Sequence, residues 1–257
     1  MVAPWIPLTA AGAAVVVVGV VAAAVLAPRI AEEVASGGPG GSVGTSDPGV
    51  TVAEQAAPPP LAATPTGPGG IGLIDPAWVD DTAAATGIPR EAVLAYAGAV
   101  VGAEELFPGC GLGWNTLAGI GYAESDHGRH GGATFEWNGH VSPEIFGVPL
   151  DGTDTAHIPD TDGGEFDGTA DIDRAIGPMQ LIPQTWRSWP SDGNGDGVPD
   201  PHNIYDAAVA SANYLCHATT TFTTDDGFRA GVAAYNSADG YLRTVATAAQ
   251  RYVDAAR

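Results

Sequence analysis

The sequence predicts a mainly α-helical domain interrupted by one irregular excursion with a short β element. Three observations support that prediction. From Ile71 onward, apolar residues recur at helical spacing between helix-start and helix-stop signals. Residues 133–173 break the pattern with a concentration of Gly, Asp, Thr and Pro. Ala, Gly and Val supply much of the apolar content, which suits closely packed helices with small side chains at their contacts.

The elements follow in order. Asp75-Pro76 opens the first helix as N-cap and first helical position, and Gly87 ends it. Pro89 opens the second, in which Val93, Ala97 and Val100 fall in register toward Phe107. The third is the amphipathic stretch Trp114–Ser125, where Leu117, Ile120, Gly121 and Glu124 share one face at i, i+3, i+4 and i+7. A Gly/His-rich break at 126–132 follows at once. The excursion over 133–173 is read as loop, with a β-hairpin expected near 141–150. Helices resume over 183–189, 204–219, 225–235 and 239–255. In the second of these, Tyr205, Ala208, Val209, Ala212, Leu215 and Cys216 form an apolar stripe.

The N-terminal part reads differently. Residues 8–27 are a charge-free run of twenty, long enough to span a bilayer and similar to a signal-peptide core. No Lys or Arg precedes the run and Arg29 follows it, against the positive-inside tendency, so either the terminal amine suffices or the start lies upstream of Met1. Residues 1–28 are expected to be a signal peptide or a membrane anchor. Residues 29–70, with Pro58-Pro59-Pro60 and little periodicity, read as a disordered Gly/Pro/Ala-rich linker. Residues 71–257 form the folded domain, which is expected to be an extracytoplasmic monomer.

The chain of 257 residues has a formal net charge of −21, and all nine of its basic residues are Arg. That balance argues against nucleic acid, or an anionic membrane surface, bound through a basic patch. Two cysteines, Cys110 and Cys216, fit export as a disulfide, the alternative being two buried thiols.

Glu124 is the leading candidate for chemistry. It sits in the last turn of its helix on the face directed inward, so desolvation and the negative end of the helix dipole both favour its neutral form. A general acid near neutral pH needs its carboxyl raised from the ordinary value of about 4.3 to about 6. Three further segments accompany it. They are Ala175-Ile-Gly-Pro-Met-Gln-Leu-Ile-Pro-Gln-Thr-Trp186, Asp192-Gly-Asn-Gly-Asp-Gly-Val-Pro-Asp200 and Ala233-Ala-Tyr-Asn236.

That ordered set, over about residues 75–255, resembles the lytic murein transglycosylases related to membrane-bound lytic transglycosylase B, in their actinobacterial form. The resemblance implies a lysozyme-like fold and a single catalytic acid/base, Glu124. Ser125 would support the Glu and the substrate. Gln180 would contact the glycan with Met179 beside it, and Tyr235 and Asn236 would stand at the catalytic centre. The implied partner is the peptidoglycan glycan strand and the implied product a 1,6-anhydro muramoyl end. No cofactor is expected for catalysis. Two alternatives stay open: a hydrolytic muramidase using a second carboxylate from 133–173, such as Glu136, Glu144 or Glu165, and a non-catalytic calcium-stabilised wall-binding protein.

Asp192-Gly-Asn-Gly-Asp-Gly197 matches the first half of an EF-hand loop, with oxygen ligands at positions 1, 3 and 5 and Gly at 6. The Val198 carbonyl would serve at position 7. Position 12 is Asn203, not the usual Glu; in the resembled family an Asp at position 15 closes the loop, here Asp206. A structural calcium ion held by Asp192, Asn194, Asp196, Val198 and Asp206 is therefore expected, with Asp200 competing. Trp186, Trp189, Trp137 and Tyr122 are candidates for stacking on sugar. His127 and His130 lack a third ligand at zinc spacing.

Overall fold

The computed structural model describes residues 49–153 and 155–257. Among these are seven α-helices: α1 Pro76–Thr86, α2 Arg90–Leu106, α3 Trp114–Ser125, α4 Pro183–Ser188, α5 Ile204–Ala218, α6 Asp225–Tyr235 and α7 Tyr241–Ala255. The domain is mainly helical, as the periodicity predicts. The apolar run at 8–27 lies outside the described residues. Among the described residues no helix is long and apolar enough to cross a membrane.

Side chains cap the starts of three helices, of which the sequence marks the one at Asp75. Asp75 accepts the Ala77 N–H at 2.9 Å, Asn203 accepts that of Tyr205 at 3.0 Å, and Thr224 accepts that of Gly227 at 3.2 Å. α7 begins at Tyr241, two residues later than expected, because Asn236 first folds a turn by accepting the Ala238 N–H.

Two helix pairs build the core: α2 packs along α5, and α3 along α7. Val93 and Ala97 of α2, Leu117 and Ile120 of α3, Ala208 and Leu215 of α5, and Val245 and Ala249 of α7 are all wholly buried. Small residues set the spacing. A Cβ on Gly121 would stand 2.0 Å from the Tyr96 hydroxyl, so α3 can approach α2 at that point only with glycine. Cys110, just ahead of α3, is bridged to Cys216 in the last turn of α5, with Cα atoms 5.5 Å apart.

The β element differs from the hairpin expected near 141–150. That segment divides between two sheets: β1 (Thr134–Phe135) pairs with β2 (Val141–Ser142), and β3 (Phe146–Pro149) pairs with β4 (Arg174–Ile176). Pro143 lies between β2 and β3 and has no N–H to continue a ladder. Between β3 and β4 the chain is held by its own acidic side chains. Asp162 accepts the N–H groups of Gly164 and Phe166, Asp167 those of Thr169 and Arg174, and Asp173 the N–H and hydroxyl of Thr161. Aspartates that satisfy backbone donors locally replace the ladder that a longer strand would have supplied.

The linker boundary also moves. Residues 49–70, expected within the disordered linker, lie on the domain, with Val50 and Ala53 buried in the core. The buried Asn115 amide accepts the Ala56 N–H and donates to the carbonyls of Glu54 and Ala249. Gln55 accepts from the Gly113 N–H and the Thr116 hydroxyl. This strap has no hydrophobic periodicity because only a few of its side chains turn inward, and polar bonds from α3 fix the rest.

Candidate active site

The site is assembled by the last turn of α3, the end of α6 and the start of α7. Glu124 is half-buried, and burial pushes its carboxyl up to about 7, opposed by a hydrogen bond from Tyr241. The Tyr241 hydroxyl donates to Glu124 Oε1 at 2.5 Å. Tyr235, the last residue of α6, donates its hydroxyl to the Met179 carbonyl at 2.7 Å and lies 2.9 Å from Ser211 Oγ. Burial first, and then the Glu124 charge, hold both phenols well above the ordinary tyrosine range. Glu124 therefore meets the neutral hydroxyl of Tyr241, while that of Tyr235 is turned to Met179 and Ser211.

Tyr241 is the residue that sequence reasoning missed. Its signal was present: a tyrosine six positions after Tyr235, at the head of the helix that packs along α3.

Two expected substrate contacts are corrected. The Met179 side chain is wholly buried in the core, so only its carbonyl reaches the site, through Tyr235. Ser125 is also buried; its hydroxyl donates to the Pro178 carbonyl and accepts the Gly128 N–H, binding the helix end to the segment before Gln180. Gln180 is half-buried with φ 49°, and its amide nitrogen donates to the Gly177 carbonyl at 2.9 Å. Asn236 caps α6 and is half-buried.

Beneath Glu124 the Gly/His-rich break is firmly held. His127 is buried between three helices, with Nδ1 3.1 Å from the Tyr96 hydroxyl of α2 and Nε2 2.8 Å from the Tyr252 hydroxyl of α7. Burial lowers its pKa to about 3, so the ring stays neutral. With both nitrogens engaged, His127 has no lone pair to offer a metal.

Two of the excursion's candidate carboxylates are engaged away from Glu124. Glu165 pairs with Arg187, and Glu144 lies 3.9 Å from His140, whose other nitrogen is 2.8 Å from Asp200. Among the described residues, the three carboxylates close enough to share an ion are Asp160, Asp162 and Asp173, within 4.8 Å of one another.

The segment expected to hold calcium is folded back onto Asp206. Asp206 is fully buried and accepts the N–H groups of Gly193 and Asn194 on one oxygen and of Asp200 on the other. Burial still pushes its carboxyl up to about 7 against those bonds. Asp206, and not Asp200, therefore joins the two ends of the loop. Gly197 has φ 87°, as the sharp turn at position 6 requires. The remaining donors are turned onto the loop itself: Asp192 accepts from Asp196 and Gly197, and the Asn194 amide nitrogen donates to Asp196.

Of the aromatic candidates, Trp186 is core and Trp189 packs edge-on against Phe107. Tyr122 lies under the Arg251 guanidinium, and Trp137 is 95% exposed.

Comparison of the chain with protein-family models, with curated proteins and with solved structures finds no match in any of the three.

Proposed function

We propose that this chain is an exported peptidoglycan lytic transglycosylase with a lysozyme-like fold, cleaving the β-1,4 bond between N-acetylmuramic acid and N-acetylglucosamine. The observation that carries this reading is the setting of Glu124, a carboxyl raised to about 7 whose Oε1 accepts the hydroxyl of Tyr241. An acid so poised is half protonated at neutral pH and can both give and take a proton in one turnover. Because Tyr241 donates to Oε1, the acidic proton belongs on Oε2. From there it passes to the glycosidic oxygen as the bond to C1 breaks. The carboxylate then takes the proton of the muramoyl C6 hydroxyl, whose oxygen closes on C1 to give the 1,6-anhydro end, and the acid is restored. The substrate's own acetamido group is suited to stabilise C1 meanwhile.

Hydrolytic glycosidases place a second carboxylate about 5–9.5 Å from the first. Of the three candidates for that second carboxylate, Glu165 is engaged by Arg187 and Glu144 lies near His140, which leaves Glu136 for that alternative. Mass spectrometry of digested sacculi tests the reading: 1,6-anhydro termini are expected, whereas reducing muramoyl ends would establish hydrolysis. Absence of any cleavage, with sacculus binding retained, would establish a wall-binding protein.

Tyr241 should tune the reaction. Its hydrogen bond lowers the Glu124 pKa, so Tyr241→Phe is expected to move the alkaline limb of the rate profile to higher pH. Loss of a bond to a charged group should slow turnover by about 10–100-fold. An unmoved limb in a folded variant would remove Tyr241 from the acid's control.

Calcium belongs to the same proposal. Asp192, Asn194, Asp196, Val198 and Asp206 would hold it, and it would fix the chain leading into α5. The parent protein is expected to melt lower in chelator than in millimolar calcium, with no such difference in Asp196→Ala. Equal melting of the parent in both conditions would argue against the ion.

A further inference from the structure

We propose that His127 is a positioning residue for Glu124: its imidazole pins the end of α3 to α2 and α7 and so keeps the carboxyl in its half-buried place beside Tyr241; this rests on reading Glu124 as the acid. α7 reaches the end of α3 twice. Tyr241 donates to Glu124 Oε1, and about three turns further along α7 the Tyr252 hydroxyl stands 2.8 Å from His127 Nε2. From α2, the Tyr96 hydroxyl stands 3.1 Å from Nδ1. That hydroxyl also occupies the space where Gly121 lacks a side chain, and the Gly121 carbonyl accepts the His127 N–H at 2.9 Å. His127 thus closes on the last turn of α3 through both its main chain and its ring.

The backbone there needs such a hold. Asp126 and His127 have φ of 50° and 59°, the left-handed region that residues with a Cβ seldom occupy, and they do so in succession. Glycine adopts that conformation freely, but the sequence supplies it only from Gly128. Side-chain bonds must do the holding. Those of Asp126 run to Arg129 between exposed groups, where water and salt weaken them. Those of His127 are buried, the residue being 1% exposed. Among the described residues, the other non-glycine in this region is Gln180, two places beyond the Pro178 carbonyl that Ser125 holds. Backbone strain of this kind gathers where a fold fixes a functional group.

The geometry also assigns the protons. Tyr96 is wholly buried and gives its proton to Nδ1, so Nε2 carries the ring's proton and donates it to Tyr252, whose oxygen also accepts from Arg251. A second proton on the ring would set N–H against O–H at Tyr96, in keeping with the lowered pKa of His127. Tyr122 of α3 lies against the same ring, and the charges acting on it are those of exposed Arg129, Asp126 and Arg251.

Without the pin, the last turn of α3 frays as helix ends do, and fraying brings water to a carboxyl that burial has raised. The titratable groups facing Glu124 are Tyr241 and Tyr235, both held neutral, so its hydration is what changes.

The test compares the full chain with His127→Gly and with Tyr96→Phe. Glycine relieves the left-handed turn while deleting the ring; phenylalanine removes one hydroxyl from the bridge and leaves α3 untouched. The Glu124 carboxyl, followed by carbon-13 NMR, is expected to titrate lower by about one pH unit or more in the first variant and by less in the second. The alkaline limb of sacculus cleavage should move to lower pH with it, opposite to the effect of Tyr241→Phe. Nitrogen-15 NMR of the parent should show one ring proton, on Nε2, at about pH 5. An unmoved Glu124 titration in the folded variants, or an imidazole that protonates at the ordinary 6.5, would overturn the pin. Should His127→Gly fail to fold, Tyr96→Phe decides alone. If the parent leaves sacculi uncleaved while Glu124 still titrates lower in the variants, the pin stands and the glycan reading falls.

Discussion

Glu124→Gln is expected to lower turnover by about 10²–10⁴-fold while making the protein more stable at alkaline pH. Glutamine keeps the shape and an oxygen for the Tyr241 hydroxyl, but it carries neither the proton nor the charge. In the parent, burial raises the carboxyl from 4.5 to about 7, so the folded state binds a proton that the unfolded chain has released. Stability from this group is fully present below about pH 4.5 and is lost as pH rises through about 7, by up to about 3 kcal/mol. Urea titrations of both proteins at pH 5 and pH 8.5 check the sign. The variant should gain on the parent at pH 8.5 and much less at pH 5. Equal differences at the two pH values would show that the carboxyl is not raised, and retained turnover would show that it is not the acid.

Removing the Cys110–Cys216 bridge should produce the largest loss of stability. The cysteines are 106 residues apart in sequence, and closing a loop of that length restricts the unfolded chain by about 4–5 kcal/mol in the chain-entropy model. Domains of this size are commonly stable by only about 5–15 kcal/mol. The closed loop contains α3, the β excursion, Gln180 and the Asp192–Asp206 segment, so reduction loosens the part of the chain that carries the acid. Tyr235 and Tyr241 lie beyond it. The double variant Cys110→Ala/Cys216→Ala, compared with the parent in urea, should show a midpoint well below that of the oxidised protein. A loss under 1 kcal/mol would mean that the bridge decorates a fold already held by packing.

The helices were legible because their signals are local. Asp75 with Pro76 marks a start by the chemistry of orphan N–H groups, and α6 falls at 225–235 as read. Glu124 was legible because a helix face can be counted. What escaped depends on contacts between distant segments. Nothing near Val50 or Gln55 announces that Asn115 will accept and donate to that stretch, 59 to 61 residues away. Met179 lies in a turn between buried Ile176 and Leu181, where spacing does not tell which side chain points inward. In an acid-rich loop many aspartates look alike, and only the turns decide that Asp160, Asp162 and Asp173 converge while Asp167 reaches Arg174. Tyr241 became part of the site through the packing of α7 on α3, a relation that periodicity within either helix does not contain.

The strap at residues 50–56 has a mechanical consequence. It is stitched to Gly113, Asn115 and Thr116, the entry to the very helix whose last turn presents Glu124. Arg257 at the other terminus pairs with Glu54 in the same stretch. Tension applied at the head of the strap would meet α6 first, through Arg229 on the Val50 carbonyl, and then the entry of α3. What reaches α3 would pass along its axis to Glu124.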